Sequence, residues 1–189
     1  SFVTHELVDP EHDSILNQAG HAGFSNSENE RGKIIFVPSY LNGDDGIFNL
    51  PYYDLLIGMD LSVFPSYYEP WGYTPHESVA FSIPTITSSL AGFGVWAQKQ
   101  GDKKGMDDGI EVIRRDDSNH GEVAEEIALL VQDFSRKSAE QVTLLKKRAA
   151  RLSDRADWAH FITYYQEAYR KALHSSFVRL SQPCKLKAE

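Results

Sequence analysis

The sequence predicts an α/β fold: a parallel sheet followed by helices. Two observations carry that expectation. Short apolar runs punctuated by proline alternate with helix-like stretches over the first three-quarters of the chain, and after His120 the pattern turns wholly helical. Residues 33–37 (Lys33-Ile34-Ile35-Phe36-Val37) read as a buried strand stopped by Pro38. Residues 61–64 read as a second strand stopped by Pro65, 85–87 as a third introduced by Pro84, and 110–113 as a fourth. Helices are predicted over 13–19, 52–59 and 74–82. Strand–helix–strand spacing of this kind builds βαβ units on a parallel sheet. Short, apolar strands suit a sheet covered on both faces.

Beyond His120, Val123, Ile127, Leu130 and Phe134 recur at intervals of 4, 3 and 4, the apolar stripe of one helix. A second helix is predicted over 139–152. A third is predicted over 157–173, capped by Asp154 or Asp157, with Trp158, Phe161, Tyr165, Ala168 and Ala172 on one face. From Ser175 onward the polar mix predicts a frayed tail. The organisation expected is therefore a ligand-binding lobe over 1–135, helices packing on it over 136–175, and a tail over 176–189.

The 189 residues suffice for one domain or a domain with an appendage. With 41% hydrophobic and 12% aromatic residues the chain is not a disordered one. A net charge of −8 argues against nucleic acid or an anionic membrane surface as a partner, and no run of 18 apolar residues predicts a membrane helix. The single cysteine, Cys184, excludes an intrachain disulfide and a multi-cysteine metal site. With no disulfide framework, the expected compartment is the reducing cytoplasm. The opening Ser1-Phe2-Val3-Thr4-His5 has no initiator Met and no signal-peptide pattern, which leads to the expectation of a fragment.

Two loops gather Gly, Asn and Asp, at 42–46 and 105–109. EF-hand spacing is absent, so solvated turns are the expectation. Between Arg136 and Arg155 seven basic residues face two acids, a net +5 inside a chain otherwise at −13. The plainer reading is a solvated helix face. The sharper one is an anion site.

The densest chemistry lies in Val63-Phe64-Pro65-Ser66-Tyr67-Tyr68-Glu69-Pro70-Trp71-Gly72-Tyr73-Thr74-Pro75-His76-Glu77. A strand ends, a loop follows, and a helix opens with Thr74 as predicted N-cap, Pro75 at the first position and Glu77 completing a capping box. The carboxyl end of a parallel strand beside a helix start is where open α/β sheets bind ligands, and the helix N-terminus favours phosphate. Gly72 lets backbone approach such a ligand. Glu69 in the loop is placed to accept sugar hydroxyls and to stabilise positive charge on a departing glycosyl carbon. The plainer reading is a capping acid for Glu77 and a solvated loop acid for Glu69. Against the second, Tyr67, Tyr68, Trp71 and Tyr73 crowd the loop and predict a concave, partly dry site.

The twelve residues from Ser66 to Glu77 resemble the signature of animal and fungal-type glycogen synthases, glycosyltransferase family three. The resemblance extends over most of residues 4–170. It takes in Thr4-His5, Asp13 to Gln18, Lys33 to Phe36, Ile83-Pro84, Ser89 to Gly94, Arg151 to Asp154, Asp157-Trp158 and Tyr164-Tyr165-Gln166. It implies part of the second, donor-binding, Rossmann-like lobe of a two-lobed GT-B enzyme, followed by C-terminal helices. Such an enzyme transfers glucose with retention from a nucleotide sugar, UDP-glucose by expectation, to the non-reducing end of an α-1,4-glucan. It implies no metal and no cofactor, and leaves a homo-oligomer of the full-length protein open. The first lobe is missing by this comparison, so the isolated chain is expected to be inactive.

Carried over by position, Glu69 and Glu77 are similar to the two glutamates of the family's E-x7-E motif. Glu69 corresponds to the catalytic candidate that contacts the donor glucose, and Glu77 to the one associated with the ribose hydroxyls. Gly72, Tyr73 and Thr74 resemble the phosphate loop. Tyr52, with Tyr53 one residue off, falls where the family has a tyrosine stacked on uracil. His76 replaces the family's usual Ala and reads as an exposed first-turn residue. Lys146, Arg148 and Arg151 fall on the later half of an arginine-rich helix that senses glucose-6-phosphate. Ala139, Glu140 and Val142 stand where earlier arginines would be, so only half of that regulatory anion site is implied. Two other readings stand beside this one: another nucleotide-sugar glycosyltransferase, and a non-catalytic nucleotide- or glucan-binding module. A dinucleotide-binding dehydrogenase is disfavoured, because Gly92-Phe93-Gly94 lacks the third glycine of its fingerprint.

Overall fold

The structure, a computed structural model, describes residues 3–100 and 106–181. Gly105, Cys184 and residues 182–189 of the expected tail lie outside the described residues. The chain divides into two units, Ser1–Gly58 and Met59–Glu189, a division the sequence reading does not draw.

In the first unit, helix α1 (Ser14–His21) is capped by Asp13, whose carboxylate accepts from the Ile15 and Leu16 N–H groups. That is the arrangement an aspartate before a helix favours. Helix α2 (Tyr52–Leu56) is a short turn of helix behind Pro51, ending well before the predicted residue 59. The strand expected over 33–37 does not form. Phe36 makes one parallel bridge with Val3. The Asn26 side-chain amide takes the place of a neighbouring strand at Ile34: its Oδ1 accepts the Ile34 N–H at 2.9 Å and its Nδ2 donates to the Ile34 carbonyl at 2.6 Å. An apolar run becomes a strand only where a ladder partner is present, and here a side chain fills that place.

The second unit contains the sheet. Strands β1 (Ser62–Phe64), β2 (Thr85–Ser88) and β3 (Ile110–Ile113) are parallel in the order β1-β2-β3, with Val63 opposite Ile86 and Thr87 opposite Val112. The connections carry helices α3 (Tyr73–Ala80) and α4 (Gly92–Gln98), the βαβ arrangement expected. Helix α4 was not foreseen. Its sequence, Gly-Phe-Gly-Val-Trp-Ala-Gln, is too short for a period to register and opens with two poor helix formers. The Asp107 and Asp108 turn is a short 3₁₀ helix, Met106–Asp108.

Alternation along the strands assigns each face its helices. Ile110 and Val112 join Val79, Phe93, Ala97, Ala149 and Leu152 in one apolar cluster, which packs α3, α4 and α6 (Ala139–Arg155) on one face. Ile86, Ile113 and Val63 face Val123, Ile127 and Leu130 of α5 (His120–Ser135) on the other. The central strand β2 is buried throughout, although its sequence is Thr-Ile-Thr-Ser. The Thr85 hydroxyl is satisfied by Ser78 Oγ and the Ile83 carbonyl, both at 2.8 Å.

Helix α7 runs from Trp158 to Ser181, past the predicted end at 173. Nothing in Ser175-Ser176-Phe177-Val178-Arg179-Leu180-Ser181 breaks a helix, since the segment holds neither proline nor glycine. Asp157 caps its start, accepting the Ala159 N–H at 2.6 Å. Of the stripe expected on its inner face only Phe161 packs on a core cluster, while Trp158 and Tyr165 are exposed. Among the described residues no helix is long and apolar enough to cross a membrane.

Gly109 fixes how α6 meets the sheet. Its φ is +80°, and a Cβ there would lie 2.4 Å from the Ala149 nitrogen. Replacing it with alanine therefore forces α6 outward and strains the turn. Gly109→Ala is expected to cost about 1–3 kcal/mol, the usual penalty of overpacking a filled site. The denaturation midpoint of the variant beside the native protein measures it.

Candidate functional site

The loop between β1 and α3 lies at the carboxyl edge of the sheet. Its course is set by main-chain hydrogen bonds to the segment leading into α4. Glu69 N–H donates to the Leu90 carbonyl at 3.2 Å. In return Gly92 N–H donates to the Glu69 carbonyl at 3.1 Å, and Phe93 N–H to the Trp71 carbonyl at 2.5 Å. Gly92 is required for this approach, because a Cβ there would stand 2.2 Å from the Pro70 oxygen.

Within that frame the Glu69 side chain is half-buried. Ser66 Oγ donates to its Oε2 at 2.8 Å, and the Ser66 carbonyl in turn accepts from Ser88 Oγ at 2.5 Å, which ties the carboxylate to the end of β2. On its other side stands Gly72, buried with φ +95°, where an added Cβ would lie 3.0 Å from Glu69 Oε2. Glycine is needed there for the left-handed turn and for room beside the carboxylate.

Gly72, and not Thr74, precedes helix α3, and the helix cap has no side-chain hydrogen bond. The predicted Thr74–Glu77 capping box is therefore absent. The left-handed Gly72 turns the chain into the helix earlier than expected, with Tyr73 first and Pro75 third. Pro75 is tolerated because the first N–H groups of a helix have no intrahelical partner. A true capping box occurs where the sequence reading placed none. Ser138 Oγ accepts the Gln141 N–H at 3.3 Å, and the Gln141 side chain accepts the Ser138 N–H at 2.8 Å, opening α6.

The structure thus brings Glu69, Gly72, Tyr73, Thr74 and Glu77 together on one loop and the N-terminal half of α3. Tyr73 and Thr74 are exposed and Glu77 is half-buried. Tyr52 belongs to the first unit, as the first residue of α2, with its N–H bonded to the Leu41 carbonyl at 2.9 Å and its ring 5.4 Å from that of Tyr53. Lys146, Arg148 and Arg151 lie on α6. Lys146 Nζ pairs with Asp60 Oδ1 at 2.9 Å, Arg148 donates to the Asp107 carbonyl, and Arg151 is exposed.

Sequence reading missed Arg115. It stands just past β3, donates to the Pro65 carbonyl, and lays its guanidinium 5.1 Å from the Tyr67 ring centre. Its N–H donates to Ser89 Oγ at 3.0 Å. Arg115 therefore clamps the start of the Glu69 loop to the far strand. The available signal was a basic residue just beyond the carboxyl end of a predicted strand.

His76 also differs from expectation. It is half-buried, stacked on Phe93 with ring centres 4.9 Å apart, and accepts the Trp71 indole N–H on Nδ1 at 3.2 Å. Trp71 draws it inward by packing on Phe93, Trp96 and Phe161. A cavity of about 390 Å³ lies beyond these rings, walled by Tyr73, His76, Trp158 and Tyr165 among others. Burial holds the His76 imidazole below its ordinary pKa of 6.5, opposed by the neighbouring Glu77 carboxylate.

The chain is then an α/β protein whose parallel sheet carries, at its carboxyl edge, an acidic loop running into a glycine-started helix. A family model described as glycogen synthase matches residues 1–185. The chain is 36% identical over 176 residues to glycogen [starch] synthase isoform 1 of Saccharomyces cerevisiae. It is 33% identical to the liver glycogen [starch] synthase of Homo sapiens and 34% identical to the glycogen [starch] synthase of Neurospora crassa, each over 176 residues. Each alignment covers 93% of this chain and 25% of the relative. The chain belongs to the glycogen synthase family, and it spans about a quarter of the length of these relatives.

The depressed His76 pKa makes stability depend on pH in a definite direction. The unfolded chain binds a proton at His76 near pH 6.5 while the folded chain resists it, so this contribution is whole above pH 6.5 and is lost as pH falls towards and through the lower folded value. The melting temperature is expected to drop on acidification from pH 7 to pH 5. His76→Asn, which does not ionise, is expected to flatten that part of the curve in a thermal-shift series.

Proposed function

We propose that the chain is the donor-side part of a retaining glucosyltransferase of the cytoplasm. It would transfer glucose from a nucleotide sugar, UDP-glucose by preference, to the non-reducing end of an α-1,4-glucan. In this reading residues 1–135 contribute to the Rossmann-like second lobe of a two-lobed GT-B enzyme, and 136–175 supply helices that pack on it. The observation that carries the reading is the Glu69 carboxylate, held between the Ser66 hydroxyl and the Gly72 backbone at the carboxyl edge of the sheet, one turn from the start of α3.

That placement suits the reaction. As the bond from the glycosyl carbon to the diphosphate breaks, positive charge builds on the carbon and negative charge on the leaving group. A fixed carboxylate stabilises the first. The N–H groups of Tyr73 and Thr74, in the first turn of α3 where intrahelical partners are lacking, together with the Gly72 backbone, receive the second. Glu77, one turn along, is assigned to the ribose hydroxyls, and Tyr52 to stacking on the base. Lys146, Arg148 and Arg151 are kept as a candidate regulatory anion site, at which an incoming phosphate would compete with Asp60 and the Asp107 carbonyl.

Glu69→Gln in the full-length protein keeps the shape and removes the charge. It is expected to lower kcat by about 10²–10³, the range for losing one preorganised electrostatic stabiliser, and to leave UDP affinity within a few-fold by calorimetry. Turnover near the native rate would return Glu69 to a loop acid. A donor screen, with the product digested by an α-1,4-specific hydrolase, distinguishes this reading from that of another glycosyltransferase.

Tyr52→Ala is expected to weaken nucleotide-sugar binding by about 1–3 kcal/mol, the worth of one aromatic stack on a base, with the melting temperature nearly intact. A large stability loss with donor affinity unchanged would make Tyr52 a packing residue.

A further inference from the structure

We propose that His76 is a positioning residue for the Glu69 loop, acting as a neutral hydrogen-bond acceptor that latches the Trp71 indole. The proposal rests on the reading of Glu69 given above, and it is argued from contacts that the reading does not use.

An indole N–H only donates, so the His76 atom that receives it, Nδ1, carries no proton. The ring proton then sits on Nε2 and the imidazole is neutral. The protonated ring has two donors and no acceptor, so it cannot make this bond. His76 reaches the loop in a second way as well: its backbone N–H donates to the Gly72 carbonyl at 3.3 Å, the first turn-closing bond of α3. One residue therefore holds two consecutive loop residues, Trp71 by its ring and Gly72 by its main chain.

Phe93 closes the circuit. Its ring lies nearly parallel to the imidazole, at 15°, and its N–H bonds the Trp71 carbonyl. The Trp71 ring is wedged edge-on against Phe93 and Phe161, at 5.7 and 5.3 Å between centres. The ring contacts, edge-on to Phe93 and Phe161 and tilted to Trp96, carry no directional bond. The bond to Nδ1 adds one, and with it a restraint on the orientation of the indole.

The consequence falls on Glu69. The carboxylate oxygen Oε2 lies against the Gly72 backbone, close enough that a Cβ would touch it at 3.0 Å. Gly72 follows Trp71 directly, so a shift of the indole carries Gly72 with it and moves the wall that fixes the carboxylate.

The test uses the full-length protein and two variants of position 76. Asparagine offers Oδ1 close to the place of Nδ1 and does not ionise. Leucine keeps bulk and offers no acceptor. Backbone hydrogen exchange, read by mass spectrometry on peptides covering residues 66–77, reports the latch without reference to activity. Turnover and donor KM report its use. His76→Leu is expected to speed exchange across these residues and to lower kcat by about tenfold or more with donor KM changed much less, as misplacing a catalytic group does. His76→Asn is expected to restore both. Trp71→Phe removes the donor from the other side and should reproduce the leucine result, which keeps the test available if His76→Leu fails to fold.

Native exchange rates in both His76→Leu and Trp71→Phe would overturn the proposal. So would native turnover in both, provided that Glu69→Gln, made as a separate variant, is itself silent. If Glu69→Gln itself turns over normally, the reading of Glu69 fails, and the exchange result still decides whether His76 holds the loop.

Discussion

The second unit turns on three main-chain hydrogen bonds between residues 69–71 and residues 90–93. They join the loop after β1 to the start of α4, and each end of the join has its own requirement. Gly92 must lack a side chain, because the Pro70 oxygen occupies the place a Cβ would take. Phe93, fully buried, must be large enough to seat Trp71. Once these hold, Glu69 is fixed in height above the sheet, Gly72 is forced into its left-handed turn, and α3 begins at Tyr73. The carboxylate, the helix start and the aromatic core beneath them are consequences of one backbone join.

The same join explains why an ordinary sequence rule gave the wrong answer at one helix and was available at another. Thr74-Pro75-His76-Glu77 and Ser138-Ala139-Glu140-Gln141 both fit the capping-box pattern. At Ser138 the chain approaches α6 in an extended conformation, φ −70° and ψ 161°, with nothing but the hydroxyl to satisfy the first N–H groups, and the box forms. At Thr74 the chain is already committed by its bonds to α4 and by Gly72. The helix starts early, and Glu77 falls beyond its first turn, out of place for the expected box. In the reading proposed for the site, that leaves helix N–H groups for a phosphate, which a capped helix would have withdrawn.

Burial of polar groups in this unit follows the same economy. The central strand buries two threonines and a serine, and Thr85 bonds Ser78 of α3 while Ser88 bonds Ser66 of the Glu69 loop. For these two hydroxyls the partners are elements that must be held in register, whereas the buried Thr87 Oγ1 has no hydrogen-bond partner among the described residues. Arg115 extends the pattern from β3, reaching the Pro65 carbonyl and the Tyr67 ring. The loop is thus held from β2, from β3 and from α4.

By itself the sequence determined the three paired strands, the long helices α5, α6 and α7, and the family to which the chain belongs. Those features depend on local pattern: apolar runs bounded by proline, a 3.6-residue stripe, a twelve-residue signature. It also picked out Glu69, Gly72 and Glu77 as a group, because they sit within one short segment. Tertiary structure alone decided the rest. The apolar run at 33–37 gained no ladder because strand formation depends on a partner the run does not contain. The stripe on α7 stayed largely exposed because periodicity marks a face without saying what covers it. His76 turned inward, and Arg115 reached the Glu69 loop from the far strand. Their roles depend on Trp71, Phe93 and Pro65 arriving beside them, and contacts between residues distant in the chain exist only once the backbone has folded.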